Sequence, residues 1–286
     1  MRQSSKHALI VVLTLLPCCA SDKPARIEET IRFQSGDATL EGTLSLPESK
    51  GKYPVVVFVH GSGMRTRNDF HAFVDAFNEV GIGTFSYDKR GVGNSGATYT
   101  DVSPLNSERT FAVLAADAVA AIDKLKKDYR IDPRKIILAG VSQAGWIIPE
   151  INTLADVYLS ICISGPAVSV GEEIYYSDLA DHGAYSQAQA DSMLQYFNGP
   201  KGFEPVHRIA KMKTPSLWIF GGKDVSIPVK RSIAILDSLR SKSNLPLEIK
   251  IFKDADHGLY NVSAQRHEPF VTEMIGWIKL KLKLAR

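Results

Sequence analysis

Ile136-Ile137-Leu138-Ala139-Gly140-Val141-Ser142-Gln143-Ala144-Gly145 decides the fold of this chain. A run of β-branched and aliphatic residues reads as a strand, here 135–139, buried on both faces. Small residues then surround a single hydroxyl, and the apolar stretch after Gln143 reads as a helix, with Pro149 a point of distortion. Strand, sharp turn and helix leave the Ser142 oxygen exposed at the apex, which suits nucleophilic attack.

Outward from that turn the same rhythm repeats. Residues 55–59 form a continuous apolar strand ending in His60-Gly61-Ser62-Gly63. Residues 82–87 are the next strand, followed by a loop over 88–96 too rich in glycine for a helix. Strands at 157–163, 216–220 and 247–252 follow, the last two ending in Gly221-Gly222-Lys223-Asp224 and Lys253-Asp254-Ala255-Asp256-His257-Gly258. Amphipathic helices are predicted at 70–80, 107–129, 229–240 and 270–282. Upstream, 26–34 and 39–46 read as a hairpin turning at 35–37. Between 165 and 214 the rhythm lapses into a helical pattern without a strong strand, read as a small cap insertion. The alternation predicts an α/β fold: a mostly parallel sheet of about eight strands with helices on both faces.

In such sheets functional groups gather at the C-terminal ends of the strands. His60 to Gly63, Ser142, Asp224 and His257 all fall there. A serine needs a base. His257 is the best candidate, because it follows a strand on a loop, whereas His71, His182, His207 and His267 are placed on helices or in the cap. His60 precedes the glycines and is read as shaping their turn. Asp224 is the candidate to orient the base. Asp254 and Asp256 are too close to His257 in sequence to reach its ring from behind, and are read as solvated charges. Oxyanion donors are expected from the amide of Gln143 and from the loop after His60, with Ser62 chosen and Gly63 or Met64 as alternatives. That loop lacks the spacing and lysine of a phosphate-binding P-loop.

The order Ser142, Asp224, His257 resembles the α/β-hydrolase superfamily, as do the His60-Gly61-Ser62-Gly63 and 87–96 loops; the likeness is to its esterase and dienelactone-hydrolase-like branches. The resemblance implies an α/β-hydrolase fold over 21–286 with 165–214 as the cap. It implies Ser142 as nucleophile, Asp224 as acid and His257 as base, and a serine hydrolase acting on small-molecule carboxylic esters without cofactor or metal. A compact prolyl-oligopeptidase-like peptidase, an acyltransferase and a catalytically silent binding protein on the same fold are the alternatives. One departure stands out: the usual pentapeptide is G-x-S-x-G, and Ala144 holds its last place, with Gly145 one residue late.

The chain of 286 residues carries a net charge of +3 without a strong charge run, which argues against a nucleic-acid partner. Arg2 and Lys6, the apolar run 8–16 and the small-residue end at Ala20 read as a signal peptide over 1–20, hence an exported, periplasmic or secreted protein with no stable membrane span after cleavage. An uncleaved anchor, or a lipoprotein signal at Cys18 or Cys19, is the alternative. Cleavage after Ala20 leaves Cys162 as the one cysteine, in an apolar run, so the fold must hold without an internal disulfide.

Overall fold

In the computed structural model, which describes residues 26–48, 51–183 and 185–283, the chain opens with two long antiparallel strands, β1 (Arg26–Ser35) and β2 (Ala38–Pro47). Gly36, at φ +54°, makes the two-residue turn between them. The signal-peptide reading of 1–20, with Cys18 and Cys19, lies outside the described residues. Next come β3 (Tyr53–Val59), α1 (His71–Glu79), β4 (Gly83–Tyr87), α2 (Ser107–Leu125), β5 (Ile131–Val141), α3 (Ala144–Leu154) and β6 (Leu159–Ile163). Three helices follow, α4 (Val170–Ala180), α5 (Gln187–Met193) and α6 (Val206–Ile209). The chain closes with β7 (Ser216–Gly221), α7 (Val229–Ser243), β8 (Leu247–Phe252), a two-residue pair β9 (Tyr260–Asn261) and β10 (Arg266–His267), and α8 (Phe270–Leu282).

The eight-stranded sheet has the order β1-β2-β4-β3-β5-β6-β7-β8, antiparallel at β1, β2 and β4 and parallel from β4 onward. This is the α/β architecture expected from the alternation of apolar runs. The period of two divides each central strand between two cores. Val55, Val57 and Val59 of β3 join Ile136 and Leu138 of β5 and Trp218 and Phe220 of β7 on one face, under α2, α3 and α7. Val56, Phe58, Ile137, Ala139, Leu217 and Ile219 face the other, under α1 and α8. Every residue of β3 is buried, and burying each large side chain contributes roughly 1.5–3 kcal/mol. Cys162 is a free, buried thiol, as its apolar run implies.

Two boundaries differ from the sequence reading by four residues, and the others by fewer. The helix predicted to reach residue 129 ends at Leu125. Asp128 accepts from the Arg130 amide and guanidinium at 2.6–3.0 Å, a local pairing that competes with the helical backbone. The strand predicted from 135 starts at Ile131, because Pro133 sits where the β3–β5 register shifts between Tyr53 and Val55; a bulge tolerates the missing N–H. Pro149 lies inside α3 without ending it. His267 stands on β10, not on a helix as predicted.

The segment 165–214 holds only helices and turns among its described residues. Ser169 and Ser186 start α4 and α5 with capping boxes closed by Glu172 and Gln189. Tyr176, Ala190 and Leu194 form a small core of their own. Arg208 ties α6 back through Glu150 and Glu108, both at 2.9 Å. No helix among the described residues is long and apolar enough to cross a membrane.

Candidate active site

Ser142 follows the last residue of β5 in a left-handed conformation, φ +56°, unusual for a residue with a side chain. Its N–H donates to the Ile163 carbonyl of β6 at 2.8 Å, and its carbonyl accepts from Gly145 at 2.8 Å, so the turn is fixed from both sides. The glycine pattern around it has a steric reason. A Cβ on Gly140 would lie 2.4 Å from the Ala144 Cβ, so Gly140 makes room for the alanine that replaces the usual glycine. Gly145 serves a different contact: a Cβ there would stand 2.6 Å from the Gly165 Cα, where the chain leaves β6.

Asp224 lies in the turn after β7 and is fully buried. Its Oδ1 accepts from the amides of Ser226 at 2.8 Å and Ile227 at 3.1 Å, and its Oδ2 is 2.8 Å from Nδ1 of His257. Gln187 of α5 donates to the Asp224 carbonyl at 2.8 Å, which pins this turn to the 165–214 segment. The His257 carbonyl accepts from the Ser164 hydroxyl at 2.7 Å. Burial works against protonating His257, but the hydrogen bond and charge of Asp224, with the Glu173 and Asp181 carboxylates, outweigh it and hold the imidazole pKa above its ordinary value. With Nδ1 engaged, Nε2 is the nitrogen left for proton transfer. Ser142 and His257 line the same cavity of about 470 Å³, together with Gly61 and Ser62. The Ser142 hydroxyl makes no hydrogen bond to the described residues; such contacts commonly tighten only when substrate binds.

Asp256 is not the solvated charge that its sequence suggests. Its Oδ1 accepts from the Gly258 and Tyr260 amides, both at 2.9 Å, and so shapes the loop carrying His257. His60 is buried and its Nε2 meets the Tyr87 carbonyl, joining the ends of β3 and β4; burial pushes its pKa down to about 4, leaving it neutral. The 165–214 tyrosines pack or face solvent: Tyr176 is buried in the small core and Tyr196 is exposed.

The loop after β3 runs against the serine turn; a Cβ on Gly61 would lie 3.2 Å from the Val141 carbonyl oxygen. The backbone N–H groups of Ser62, Met64 and Gln143 meet no acceptor among the described residues, while that of Gly63 faces the Tyr99 hydroxyl. Lys89, which the sequence reading passed over, holds this arrangement together. Its buried ammonium donates to the Gly61 carbonyl at 2.9 Å, the Gly63 carbonyl at 3.3 Å and Oε1 of Gln143 at 2.8 Å. Burial, and then the charge of Arg65, push its pKa down to about 8. Its place is fixed by Asp88, whose carboxylate accepts from Arg67 and from the Asn94 amide, while Arg67 also pairs with Glu41 at 2.5 Å. Its one sequence signal was position: Lys89 follows β4 at the same edge of the sheet.

Lys89→Met should therefore lower kcat by about tenfold to a hundredfold, the scale of a small misplacement of reacting groups, with KM changed less than about threefold. Ester hydrolysis over a substrate range checks this; a KM effect larger than the kcat effect would assign Lys89 to substrate binding instead.

Strand order, the serine turn and the Asp224–His257 pair define an α/β-hydrolase. The prolyl oligopeptidase family matches residues 68–285, and the chain belongs to it. Esterase EstD of Thermotoga maritima is 24% identical over 257 residues, which cover 79% of this chain and 60% of that protein. The acylamino-acid-releasing enzyme of Arabidopsis thaliana is 22% identical over 153 residues, 50% of this chain and 20% of that enzyme. The solved acylaminoacyl peptidase of Pyrococcus horikoshii superposes with a TM-score of 0.64 at 20% identity, over 89% of this chain and 41% of that one. The chain thus spans between a fifth and three fifths of the length of these relatives.

Proposed function

We propose that this chain is a serine hydrolase that cleaves carboxylic esters through an acyl-enzyme. Ser142 is the nucleophile, His257 the base, Asp224 the acid that orients it, and the Gln143 and Ser62 amides the oxyanion donors. The observation that carries this reading is the 2.8 Å hydrogen bond from His257 to the buried Asp224, beside a left-handed serine that lines the same cavity as His257. Ser142 Oγ bonds to the ester carbonyl carbon while its proton passes to His257 Nε2. The carbon–oxygen bond of the leaving group then breaks, and His257 returns the proton to the departing alkoxide. Water repeats the sequence on the acyl-enzyme, releasing the acid and restoring Ser142.

A peptide substrate is the second reading, favoured by the likeness to acylamino-acid-releasing enzymes. The likeness to esterase EstD over most of the chain supports the ester reading. The experiment is labelling by a fluorophosphonate, with the adduct located by peptide mass spectrometry, beside turnover of a short thioester and of an acetyl-aminoacyl anilide. The adduct is expected on Ser142, with the thioester the faster substrate; an adduct elsewhere overturns the assignment, and a faster anilide overturns the ester reading. Export after removal of 1–20 is part of the proposal, supported by the charged, apolar and small-residue sequence of that stretch.

A further inference from the structure

The space above Ser142 has two lobes, and Glu173 stands where they meet. The larger, about 470 Å³, holds His257, Phe73, Asp69, Arg65 and Asp181. The smaller, about 200 Å³, lies over Gln143 and is walled by Tyr99, Asp101, Val102, Trp146, Val170 and Ile174. Ser142, Ser62 and Glu173 line both. On the serine-hydrolase reading, on which this inference rests, His257 must hand its proton to the departing group. The leaving group therefore occupies the lobe that contains His257, and the acyl group the smaller one.

Glu173 has no partner of its own. Its carboxylate makes no hydrogen bond or ion pair to the described residues, although it is half-buried. Its neighbour Glu172 is used differently, closing the capping box with Ser169. A carboxylate in the first turn of a helix is favoured by the helix dipole wherever it points. Glu173, Ser177 and Asp181, at i, i+4 and i+8 along and just beyond α4, all line the larger lobe. The lobe carries three carboxylates, those of Glu173, Asp69 and Asp181, against the one guanidinium of Arg65. Arg65 is engaged by the Ser62 carbonyl at 2.8 Å and by Asp69 at 3.5 Å, and Asp181 accepts from Ser226 at 2.9 Å. Glu173 is the one of the three with neither a hydrogen bond nor an ion pair among the described residues, and it alone stands where the two lobes meet.

We propose that the larger lobe is a leaving-group subsite for a cationic nitrogen, with Glu173 as its counter-ion, so that the substrates are short-acyl esters of amino alcohols. Burial, with the Asp224 and Asp178 charges, pushes the Glu173 pKa up to about 7 against the opposing pull of His257. A bound cation relieves that cost by favouring the ionised form.

The test compares acetylthiocholine with its uncharged isostere 3,3-dimethylbutyl thioacetate, followed by thiol release from the full chain. The wild type should favour the cationic ester by about tenfold in kcat/KM, the effect of one partly desolvated ion pair. Each variant is referred to its own neutral ester. In Glu173→Gln the ratio should fall to near one, and Glu173→Asp should retain part of it. The wild-type ratio should rise between about pH 6 and pH 8 as Glu173 ionises in the field of His257, Asp224, Asp178, Arg65, Asp69, Asp181 and Asp101, and stay flat in Glu173→Gln. A wild-type ratio near one, or an unchanged ratio in Glu173→Gln, overturns the inference. Should Glu173→Gln fail to fold, choline is expected to inhibit the wild type competitively and more strongly than 3,3-dimethylbutanol; equal inhibition overturns it. If the neutral thioester is hydrolysed without any preference, the subsite fails and the serine-hydrolase reading stands. If neither ester is hydrolysed and no fluorophosphonate adduct forms on Ser142, both fail.

Discussion

Ser142→Ala should lower the turnover of a short thioester by roughly four to six orders of magnitude, the loss seen when a triad nucleophile is removed. Among the described residues no other hydroxyl combines a left-handed turn, the cavity of His257 and unpaired amides close by. The change should cost little stability. The hydroxyl makes no hydrogen bond to the described residues, so its removal leaves no partner unpaired. The backbone hydrogen bonds of the turn, from Ser142 to Ile163 and from Gly145 to Ser142, stay as they are at 2.8 Å. Thermal unfolding of Ser142→Ala should therefore track the wild type, while Ser142→Gly, which relieves the strain at φ +56°, should unfold no earlier than the alanine variant. Turnover close to wild type in a folded Ser142→Ala protein would place the nucleophile elsewhere.

Much of this site could be read from the sequence because its parts are local. A strand buried on both faces must read as an unbroken apolar run, and β3, β7 and residues 136–141 of β5 do. Each is followed by glycine-rich or small residues, and in a parallel sheet those loops share one edge. Ser142, Asp224 and His257 could therefore be picked out singly, by what precedes them. Lys89 and Glu173 could not. The role of Lys89 rests on Gln143, 54 residues away, and on two carbonyls of another loop, and nothing beside it in sequence announces them. Glu173 looks like an ordinary helix-start carboxylate until the helix is seen to face the cavity. The helix and strand ends that were misplaced fail for a related reason. Asp128 ends α2 through its contacts with Arg130, and Pro133 stays in β5 because the register slips beside Tyr53. Ala144 was the reverse case: an apparent defect in the motif whose compensation, the missing side chain of Gly140, was already in the sequence four residues earlier.

Asp224→Asn should cost about 10⁴ in kcat while leaving the protein folded. The asparagine oxygen can still accept from the Ser226 and Ile227 amides, now at 2.8 and 3.1 Å, so the turn after β7 keeps its internal bonds. What changes is the group facing Nδ1 of His257. A carboxylate accepts a hydrogen bond from the Nδ1–H and leaves Nε2 as the base; an amide can present its NH₂ instead and hold the imidazole in the other tautomer. The charge that favours the imidazolium is lost as well. Asp224 is the leading influence raising the His257 pKa, ahead of Glu173 and Asp181. The base must be neutral to act, so wild-type kcat/KM should be lost as pH falls through a value above 6.5, and the residual activity of Asp224→Asn should be lost at a lower pH. Asp224→Ala separates orientation from packing. It leaves two backbone N–H groups and one ring N–H without an acceptor, at about 1–3 kcal/mol for each group that stays buried, and should unfold at a clearly lower temperature than Asp224→Asn. An Asp224→Asn enzyme within tenfold of wild type, with its acid limb unmoved, would show that the 2.8 Å contact to His257 is structural and that the base is held in place by something else.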